Sequence, residues 1–230
     1  MKIKVCGITS LDQMEALENM EVDFAGFIFY PNSPRYVLRH GLVGKEVKKA
    51  KFKPYKVGVF VDAAYNDIMR YIDEFGLDMV QLHGRETPYE CSKISDYIHV
   101  IKAFRFMEND HVEWTIKDYY MDTDMFMFDT GVPPSKEENT GKTTFGGTGR
   151  KFNWNRLKGL NIGKPFFLSG GIEPTDAPLV KEFMKDPVAK DLFVVDINSR
   201  FEIAPGIKDM TLVRFFVDEL RSSTKTDNGQ

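Results

Sequence analysis

Cysteine is scarce in this chain, because only Cys6 and Cys91 occur among its 230 residues. Two cysteines are too few for a disulfide scaffold, so we expect a reduced, cytoplasmic protein, although the sequence leaves a bond between the two open. Long apolar runs are missing as well, and no stretch approaches the ~20 residues that a membrane-spanning helix needs. The chain enters a predicted strand at once, without the basic and then apolar region of a secretion signal, so we expect no such signal.

Charge of one sign is not in excess either. The 31 Lys and Arg residues nearly balance the 34 Asp and Glu residues, which gives a net charge of −3. This balance gives no reason to expect nucleic acid or a membrane as a partner. Histidine is too dispersed to predict a metal site, because the four histidines fall in separate predicted elements without ligand spacing. They are His40, His83, His99 and His111.

Two short motifs look like nucleotide-binding loops and fail on inspection. GKT at 141–143 ends like a P-loop, but the glycine required five positions before Gly141 is Lys136. GTG at 147–149 follows no predicted strand and lacks the third glycine of a dinucleotide-binding fingerprint. Both lie in a break at 130–151 that is rich in Gly, Pro, Ser and Thr, and loops of this length are usually functional or mobile.

Strand and helix patterns, in contrast, alternate from end to end. Apolar runs such as FAGFIF at 24–29 predict strands that are buried on both faces. About eight strand–helix units predict an α/β fold, a single-domain (β/α)8 TIM barrel over residues 1–220. A doubly wound open sheet shares the alternation and remains the alternative. The tail at 221–230 is polar throughout, so we expect it to be disordered.

The boundaries of these elements follow from apolar periodicity, helix caps and turn residues. The first predicted strand ends at Cys6, and the others span 24–29, 55–61, 79–83, 97–104, 125–129, 165–169 and 191–196. The predicted helices span 11–20, 42–51, 64–74, 110–120, 174–185 and 207–220, with further helix starts at 87–88 and 153.

Three side chains that can move protons stand where predicted strands end, which is where α/β barrels place their chemistry. Cys6 can act there as a base or nucleophile, although a lone Cys in a strand is often only a small buried hydrophobe. Asp129 can act as an acid, or it can simply cap the next element. His83 closes another strand, and a satisfied core histidine is the commoner explanation for a lone one.

Two further stretches suggest anion binding. Gly170 and Gly171 follow a predicted strand and precede a helix, so their N–H groups can approach a phosphate, although the pair can also be a simple turn. Arg35 lies between Pro34 and Tyr36 in a short, stiff loop. A guanidinium held in this way is well placed to bind a carboxylate, or it is a solvated surface charge.

Eight stretches, in order from Lys4 to about Leu220, resemble the phosphoribosylanthranilate isomerase family. They are KVCGIT (4–9), GFIFY (26–30) with SPR (33–35), VGVFV (57–61), VQLHG (80–84), FDT (128–130), GGTG (146–149) with FNW (152–154), LSGGI (168–172), and APG (204–206) with KD (208–209). Each stretch is short, but their number and order make the resemblance specific.

The resemblance implies roles for individual residues. It makes Cys6 the catalytic base, Asp129 the general acid and Arg35 the ligand of the anthranilate carboxylate. His83 joins the substrate-binding residues through the VQLHG stretch. The phosphate site would use Gly170 and Gly171 together with the loop after the last strand, here Asn198 and Ser199.

That last loop departs from the family, which usually has Ser-Ser-Gly where this chain has Asn198, Ser199 and Arg200. The side-chain amide of Asn198 can replace a serine as a phosphate donor. We expect Arg200 to point outward, because a position that takes Gly suggests no room for a side chain inside. Monomers and dimers both occur in the family, so a monomer or a homodimer is expected.

The implied reaction is an Amadori rearrangement of phosphoribosylanthranilate, a small-molecule substrate, from aminoaldose to aminoketose in tryptophan biosynthesis. No cofactor or metal is implied. Cys6 would act as a thiolate, and a raised pKa in a partly dry pocket beside the anionic substrate would favour a protonated Asp129 at the moment of reaction. Two alternatives remain. A histidine-pathway or dual-specificity isomerase barrel would run the same rearrangement, but that group has aspartate where Cys6 stands. A barrel that binds a sugar phosphate without catalysis is the other.

Overall fold

The computed structural model describes residues 1–106, 110–130 and 153–222. Most of the predicted break at 130–151, the family-like stretch at 146–149 and most of the predicted tail at 221–230 lie outside the described residues. Eight parallel strands close into a barrel in which β8 pairs with β1, so the predicted TIM barrel is confirmed and the open sheet is wrong. The strands are β1 Lys2–Cys6, β2 Phe24–Ile28, β3 Tyr55–Phe60, β4 Met79–Leu82, β5 His99–Phe106, β6 Met125–Thr130, β7 Phe166–Leu168 and β8 Leu192–Ile197.

Helices connect these strands on the outside of the barrel. The α-helices are α1 Leu11–Asn19, α2 Gly44–Lys49, α3 Tyr65–Phe75, α4 Pro88–Ser95, α5 Val112–Lys117, α6 Ala177–Phe183 and α7 Met210–Arg221. Short 3₁₀ helices span Val37–His40, Trp154–Leu157, Pro174–Asp176, Pro187–Asp191 and Ser199–Phe201. No helix in the described ranges is long and apolar enough to cross a membrane.

Alternation along each strand sorts side chains into an outer core and a barrel interior. On β1, Ile3 and Val5 join the core between barrel and helices. Lys4 and Cys6, at the alternate positions, are buried inside the barrel instead. A charged side chain therefore lies in the barrel interior, where it needs a partner.

Carboxylates close the amino-terminal end of the barrel in a repeated way. Before each even-numbered strand, an aspartate accepts a backbone N–H from the preceding odd-numbered strand or the segment just before it, at 2.7–2.9 Å. These bonds join Asp23 to Ile3, Asp78 to Lys56, Asp124 to Val100 and Asp191 to Gly163. They satisfy N–H groups at the end of the sheet, so these aspartates have a structural task.

A two-stranded hairpin that the sequence did not indicate follows β8. It consists of β9 Glu202–Ala204 and β10 Ile207–Lys208, paired antiparallel. The prediction of a helix from residue 207 is therefore wrong at its start, since Asp209 caps α7 with bonds to the N–H groups of Thr211 and Leu212. The hairpin places two charged side chains, Glu202 and Lys208, beside the carboxyl end of the barrel.

Candidate active site

The carboxyl ends of the strands form one surface, which we call the mouth of the barrel. Six loops or strand ends bring the predicted site residues to it. Cys6 ends β1, Arg35 follows β2, His83 follows β4, Asp129 lies near the end of β6, Gly170 and Gly171 follow β7, and Asn198 and Ser199 follow β8. The fold thus gathers residues that lie more than 190 positions apart in the chain.

Cys6 has room for its thiol because its neighbour in the sheet is a glycine. Gly26 of β2 is the register partner of Cys6, and a Cβ at Gly26 would come within 2.9 Å of the Cys6 Sγ. Only 4% of Cys6 is exposed. Burial raises the pKa of the Cys6 thiol, and the ammonium groups of Lys4 and Lys208 oppose that shift without cancelling it. Cys6 is therefore mainly a thiol at neutral pH in the ligand-free site, where the thiolate is the minor form.

A buried ion pair lies one layer below Cys6. Lys4 Nζ donates to Asp196 Oδ1 at 2.9 Å, and the two residues are register partners on β1 and β8. Burial lowers the pKa of Lys4, but the Asp196 carboxylate and Cys6 outweigh it, so the pKa ends above its ordinary value. Lys4 is therefore a permanent positive charge close to the thiol.

Asp129 has a basic neighbour that is distant in sequence. His83 Nε2 lies 3.3 Å from Asp129 Oδ2, although the two are not aligned for a hydrogen bond. Burial raises the pKa of Asp129, yet His83, the Thr130 N–H and the Ser169 hydroxyl outweigh it, so the pKa lies below its usual value. In the ligand-free site the tertiary contacts thus favour the carboxylate, whereas the expected rise of the pKa concerns the site beside an anionic substrate.

Arg35 is already held by a carboxylate of the protein. Its Nε and NH2 groups donate to both oxygens of Glu202, at 2.6–3.0 Å, in a two-pronged pair that is almost fully buried. The same Glu202 also accepts from Lys208 Nζ at 2.7 Å. Within the described ranges, the NH1 group of Arg35 makes no hydrogen bond, so one edge of the guanidinium is left for another acceptor.

Lys208 connects this pair to the loop after β8. Its Nζ donates to the side-chain oxygen of Asn198 at 2.8 Å and to its carbonyl oxygen at 3.2 Å, besides Glu202. Burial lowers the pKa of Lys208 to about 8, against the opposing pull of Glu202. Because Oδ1 of Asn198 is engaged, the amide nitrogen of that side chain remains as its donor.

The predicted phosphate-binding loops lie next to each other at the ends of β7 and β8. Gly170 and Gly171 adopt φ angles of 96° and 67°, which favour glycine and explain why this turn has two. Arg200 is about half exposed, and its Nε lies 3.6 Å from Glu173 of the facing loop. The side chain thus reaches across to the neighbouring loop, and its outward orientation relative to a bound phosphate stays a prediction.

Sequence reasoning missed several charged residues of the mouth. Lys4 had a readable signal, since a lysine inside an apolar strand needs a buried partner. Arg105 was left out because β5 was predicted to end at residue 104. The strand runs to Phe106, and Arg105 is the register partner of Asp129 on β6. Glu202 had no signal and Lys208 only its place in the family-like KD stretch, because strands of two or three residues have no periodicity to detect.

Comparison with known proteins agrees with this geometry. A family model described as N-(5'phosphoribosyl)anthranilate (PRA) isomerase matches residues 3–219. The chain belongs to the phosphoribosylanthranilate isomerase family. A relative from Phocaeicola vulgatus named N-(5'-phosphoribosyl)anthranilate isomerase is 35% identical, over 96% of this chain and 98% of its own. A relative of the same name from Parabacteroides distasonis is 34% identical, over 96% and 93% of the two chains.

Solved phosphoribosylanthranilate isomerases share the fold along the whole chain. The enzyme of Thermotoga maritima aligns with a TM-score of 0.77 at 27% identity, over 96% of this chain and 98% of its own. That of Thermus thermophilus aligns with a TM-score of 0.75 at 26% identity, over the same shares. A third was solved with reduced 1-(o-carboxyphenylamino)-1-deoxyribulose 5-phosphate and aligns with a TM-score of 0.71 at 25% identity, again over 96% and 98%.

Proposed function

We propose that this chain isomerises N-(5'-phosphoribosyl)anthranilate at the mouth of the barrel, with Cys6 and Asp129 as base and acid. Family membership makes the chain an isomerase of tryptophan biosynthesis. The observation that supports these two roles is the meeting of Cys6 and Asp129 at the same end of the barrel, on β1 and β6.

In the proposed reaction, Asp129 protonates the furanose ring oxygen, and the C1′–O bond breaks to give an open-chain Schiff base. Cys6 then removes the proton from C2′, and the electron pair of the broken C2′–H bond forms the double bond of the enolamine. Tautomerisation of the enolamine places a proton on C1′ and yields the ketone. General acid and base steps of this kind typically contribute ~10²–10⁴-fold each.

The protonation states of the ligand-free site set a condition on this mechanism. A thiol at Cys6 and a carboxylate at Asp129 are the favoured forms. The reactive form needs a thiolate and a protonated acid, which together hold the same number of protons. A change of pH therefore leaves the ratio of the reactive to the resting form unchanged, and the site acts through a minor population in which one proton has moved. Both forms are lost when the site gains or loses a further proton, so activity should fall at low and at high pH.

Substrate binding follows from the two anionic ends of phosphoribosylanthranilate. The carboxylate is proposed to meet the remaining edge of Arg35, whose other edge Glu202 holds in place. The phosphate is proposed to meet the N–H groups of Gly170 and Gly171, the side-chain amide of Asn198 and the turn at Ser199. His83 lies beside Asp129, where it also contacts the bound sugar in this proposal.

Turnover of phosphoribosylanthranilate by the purified protein tests the proposal directly. We expect the anthranilate-type fluorescence of the substrate to fall with time, with no added metal or cofactor. Turnover of the histidine-pathway aminoaldose alone would favour the other isomerase, and tight binding without turnover would favour a non-catalytic barrel. The cytoplasmic setting and the choice between monomer and homodimer stay predictions, which fractionation and sedimentation would test.

A further inference from the structure

Gln81 is a buried polar residue without a part in the mechanism above. It lies on β4 two positions before His83, so both side chains point to the barrel interior, and only 1% of Gln81 is exposed. Its Nε2 lies 3.2 Å from His83 Nδ1. Its Oε1 is buried and has no hydrogen-bond partner among the residues that the structure describes, which is rare for a buried carbonyl oxygen.

In this orientation of the amide, the contact determines where His83 carries its proton. An amide nitrogen only donates, so His83 Nδ1 must accept, and the single proton of the neutral ring must then be on Nε2. Nε2 is the nitrogen that faces Asp129 Oδ2 at 3.3 Å. In this arrangement the pair consists of a neutral imidazole and a carboxylate, and it holds no proton that the ring oxygen of the sugar could take without losing the ring N–H.

Turning the Gln81 amide by 180° exchanges the donor and the acceptor that face His83 Nδ1. Oε1 would then face Nδ1 and accept a proton from it, so His83 could be protonated on both nitrogens. The same turn would give Oε1 the partner that it lacks and take from Nε2 the one that it has, so the count of hydrogen bonds alone favours neither orientation. The two orientations of the amide therefore correspond to two protonation states of the His83–Asp129 pair.

The charged groups around the pair act on it from other strands. Arg105 of β5 donates from NH2 to the His83 carbonyl oxygen at 3.3 Å, and its positive charge disfavours an imidazolium. Asp196 of β8 lies close enough to interact with both members, and its negative charge favours an imidazolium. Lys4 neutralises much of Asp196 at 2.9 Å, so the positive charge of Arg105 is the larger of these outer influences and disfavours an imidazolium. Gln81 acts in addition to these charges, in direct contact with the ring.

We propose that Gln81 is a positioning residue whose side-chain amide turns over as the His83–Asp129 pair gains and loses the proton used to open the sugar ring. The proposal rests on the proposed role of Asp129 as the acid. In one orientation the amide holds the pair in its proton-poor form, and in the other it accepts from the imidazolium of the proton-loaded form. Gln81 itself touches neither the substrate nor the reacting atoms.

Two substitutions that should shift the pH profile of kcat in opposite directions test this role. In Gln81→Glu a carboxylate can only accept from Nδ1, so the loaded pair is favoured, and the high-pH limb of the kcat profile should move up by ~1 pH unit. In Gln81→Met the acceptor is lost at similar volume, so the same limb should move down by ~0.5–1 pH unit. KM should stay within about threefold in both. Limbs that stay in place, or move together, would overturn the proposal.

Nuclear magnetic resonance of the ring nitrogens of the free protein gives a second readout that needs no catalysis. We expect the titration of the His83 Nδ1 signal to move upward in Gln81→Glu and downward in Gln81→Met. His99, which pairs with Asp124 at the other end of the barrel, serves as an internal reference and should not move. An identical His83 titration in all three proteins would overturn the proposal. Failure of the proposed acid would show separately, as normal turnover by Asp129→Asn.

Discussion

A histidine–aspartate pair lies beside each end of strand β6, and the two pairs differ in burial and in geometry. At the mouth, His83 and Asp129 have side chains that are only 11% and 14% exposed. At the amino-terminal end, His99 and Asp124 are 65% and 35% exposed. The lower pair has ordinary geometry, at 3.1 Å, and the upper one lies 3.3 Å apart without the alignment of a hydrogen bond.

The two aspartates differ in the groups from which they accept hydrogen bonds. Asp124 accepts the N–H of Val100 at 2.7 Å, and three other aspartates repeat this bond around the lower end of the barrel. Among the described residues, Asp129 accepts a backbone N–H from its own neighbour Thr130 and otherwise faces His83, the Ser169 hydroxyl and the mouth. The lower end therefore uses carboxylates to close the sheet, and the upper end leaves one available for proton transfer.

The matched pair Asp129→Asn and Asp124→Asn should separate these roles most widely. We expect Asp129→Asn to lower kcat by ~10²-fold or more with KM little changed, because the amide cannot donate the proton. Asp124→Asn should keep kcat within about twofold and lose at most ~1 kcal/mol of unfolding free energy, since its pair is exposed. Steady-state kinetics and urea unfolding measure both. Equal effects on kcat would remove the distinction between the two ends.

The next comparison is between two ion pairs, Arg35–Glu202 at the mouth and Lys2–Asp23 at the amino-terminal end of the barrel. Arg35→Ala should lower kcat/KM by one to two decades, because the substrate carboxylate loses a two-pronged donor. It should also destabilise the fold by ~3–5 kcal/mol, since Glu202 stays buried with one partner fewer. Lys2→Ala breaks a 3.7 Å pair with Asp23 on the surface and should change neither quantity measurably. An Arg35→Ala enzyme with unchanged kcat/KM would contradict the assignment.

Gly26→Ala tests the space around the thiol. The new Cβ would lie 2.9 Å from Sγ and 3.0 Å from Cα of Cys6, so the base must shift, and we expect kcat to fall by about tenfold. Gly41→Ala is the control, because its Cβ would meet nothing within 4 Å and only its φ of 76° opposes the change. The control should lose ~1 kcal/mol of stability and no activity. Normal kcat for Gly26→Ala would show that the position of Cys6 is not critical.

The smallest effect concerns the pH dependence of stability. The pKa of Asp129 is lower in the folded than in the unfolded protein, so its stabilising effect is present above the unfolded value and is lost as pH falls through the folded one. Wild-type protein should therefore lose stability below pH ~4 more steeply than Asp129→Asn. Above pH ~6 the two curves should run parallel. Thermal unfolding between pH 2 and 7 measures the difference, and identical slopes at low pH would argue against it.

The barrel and the strand-end residues were predictable because they depend on local patterns. Apolar runs marked the strands, and Cys6, His83 and Asp129 each closed one. The partners of these residues were not predictable, because they come from other strands. His83 lowers the pKa of Asp129 from β4, and Glu202 holds Arg35 from a hairpin too short to show periodicity. Protonation states depend on burial and on such partners, so the favoured forms of Cys6 and Asp129 in the ligand-free site could not be predicted from local patterns.

Turnover of phosphoribosylanthranilate by Cys6→Ala, set against Cys91→Ala, most directly tests whether the chemistry lies at the mouth. Both thiols are buried, but Cys91 lies in α4, where burial raises its pKa to about 12, away from the mouth. We predict that Cys6→Ala lowers kcat by ~10²-fold or more with substrate affinity nearly intact, and that Cys91→Ala turns over normally. Near-normal turnover by a folded Cys6→Ala protein would contradict the role of Cys6 as the base.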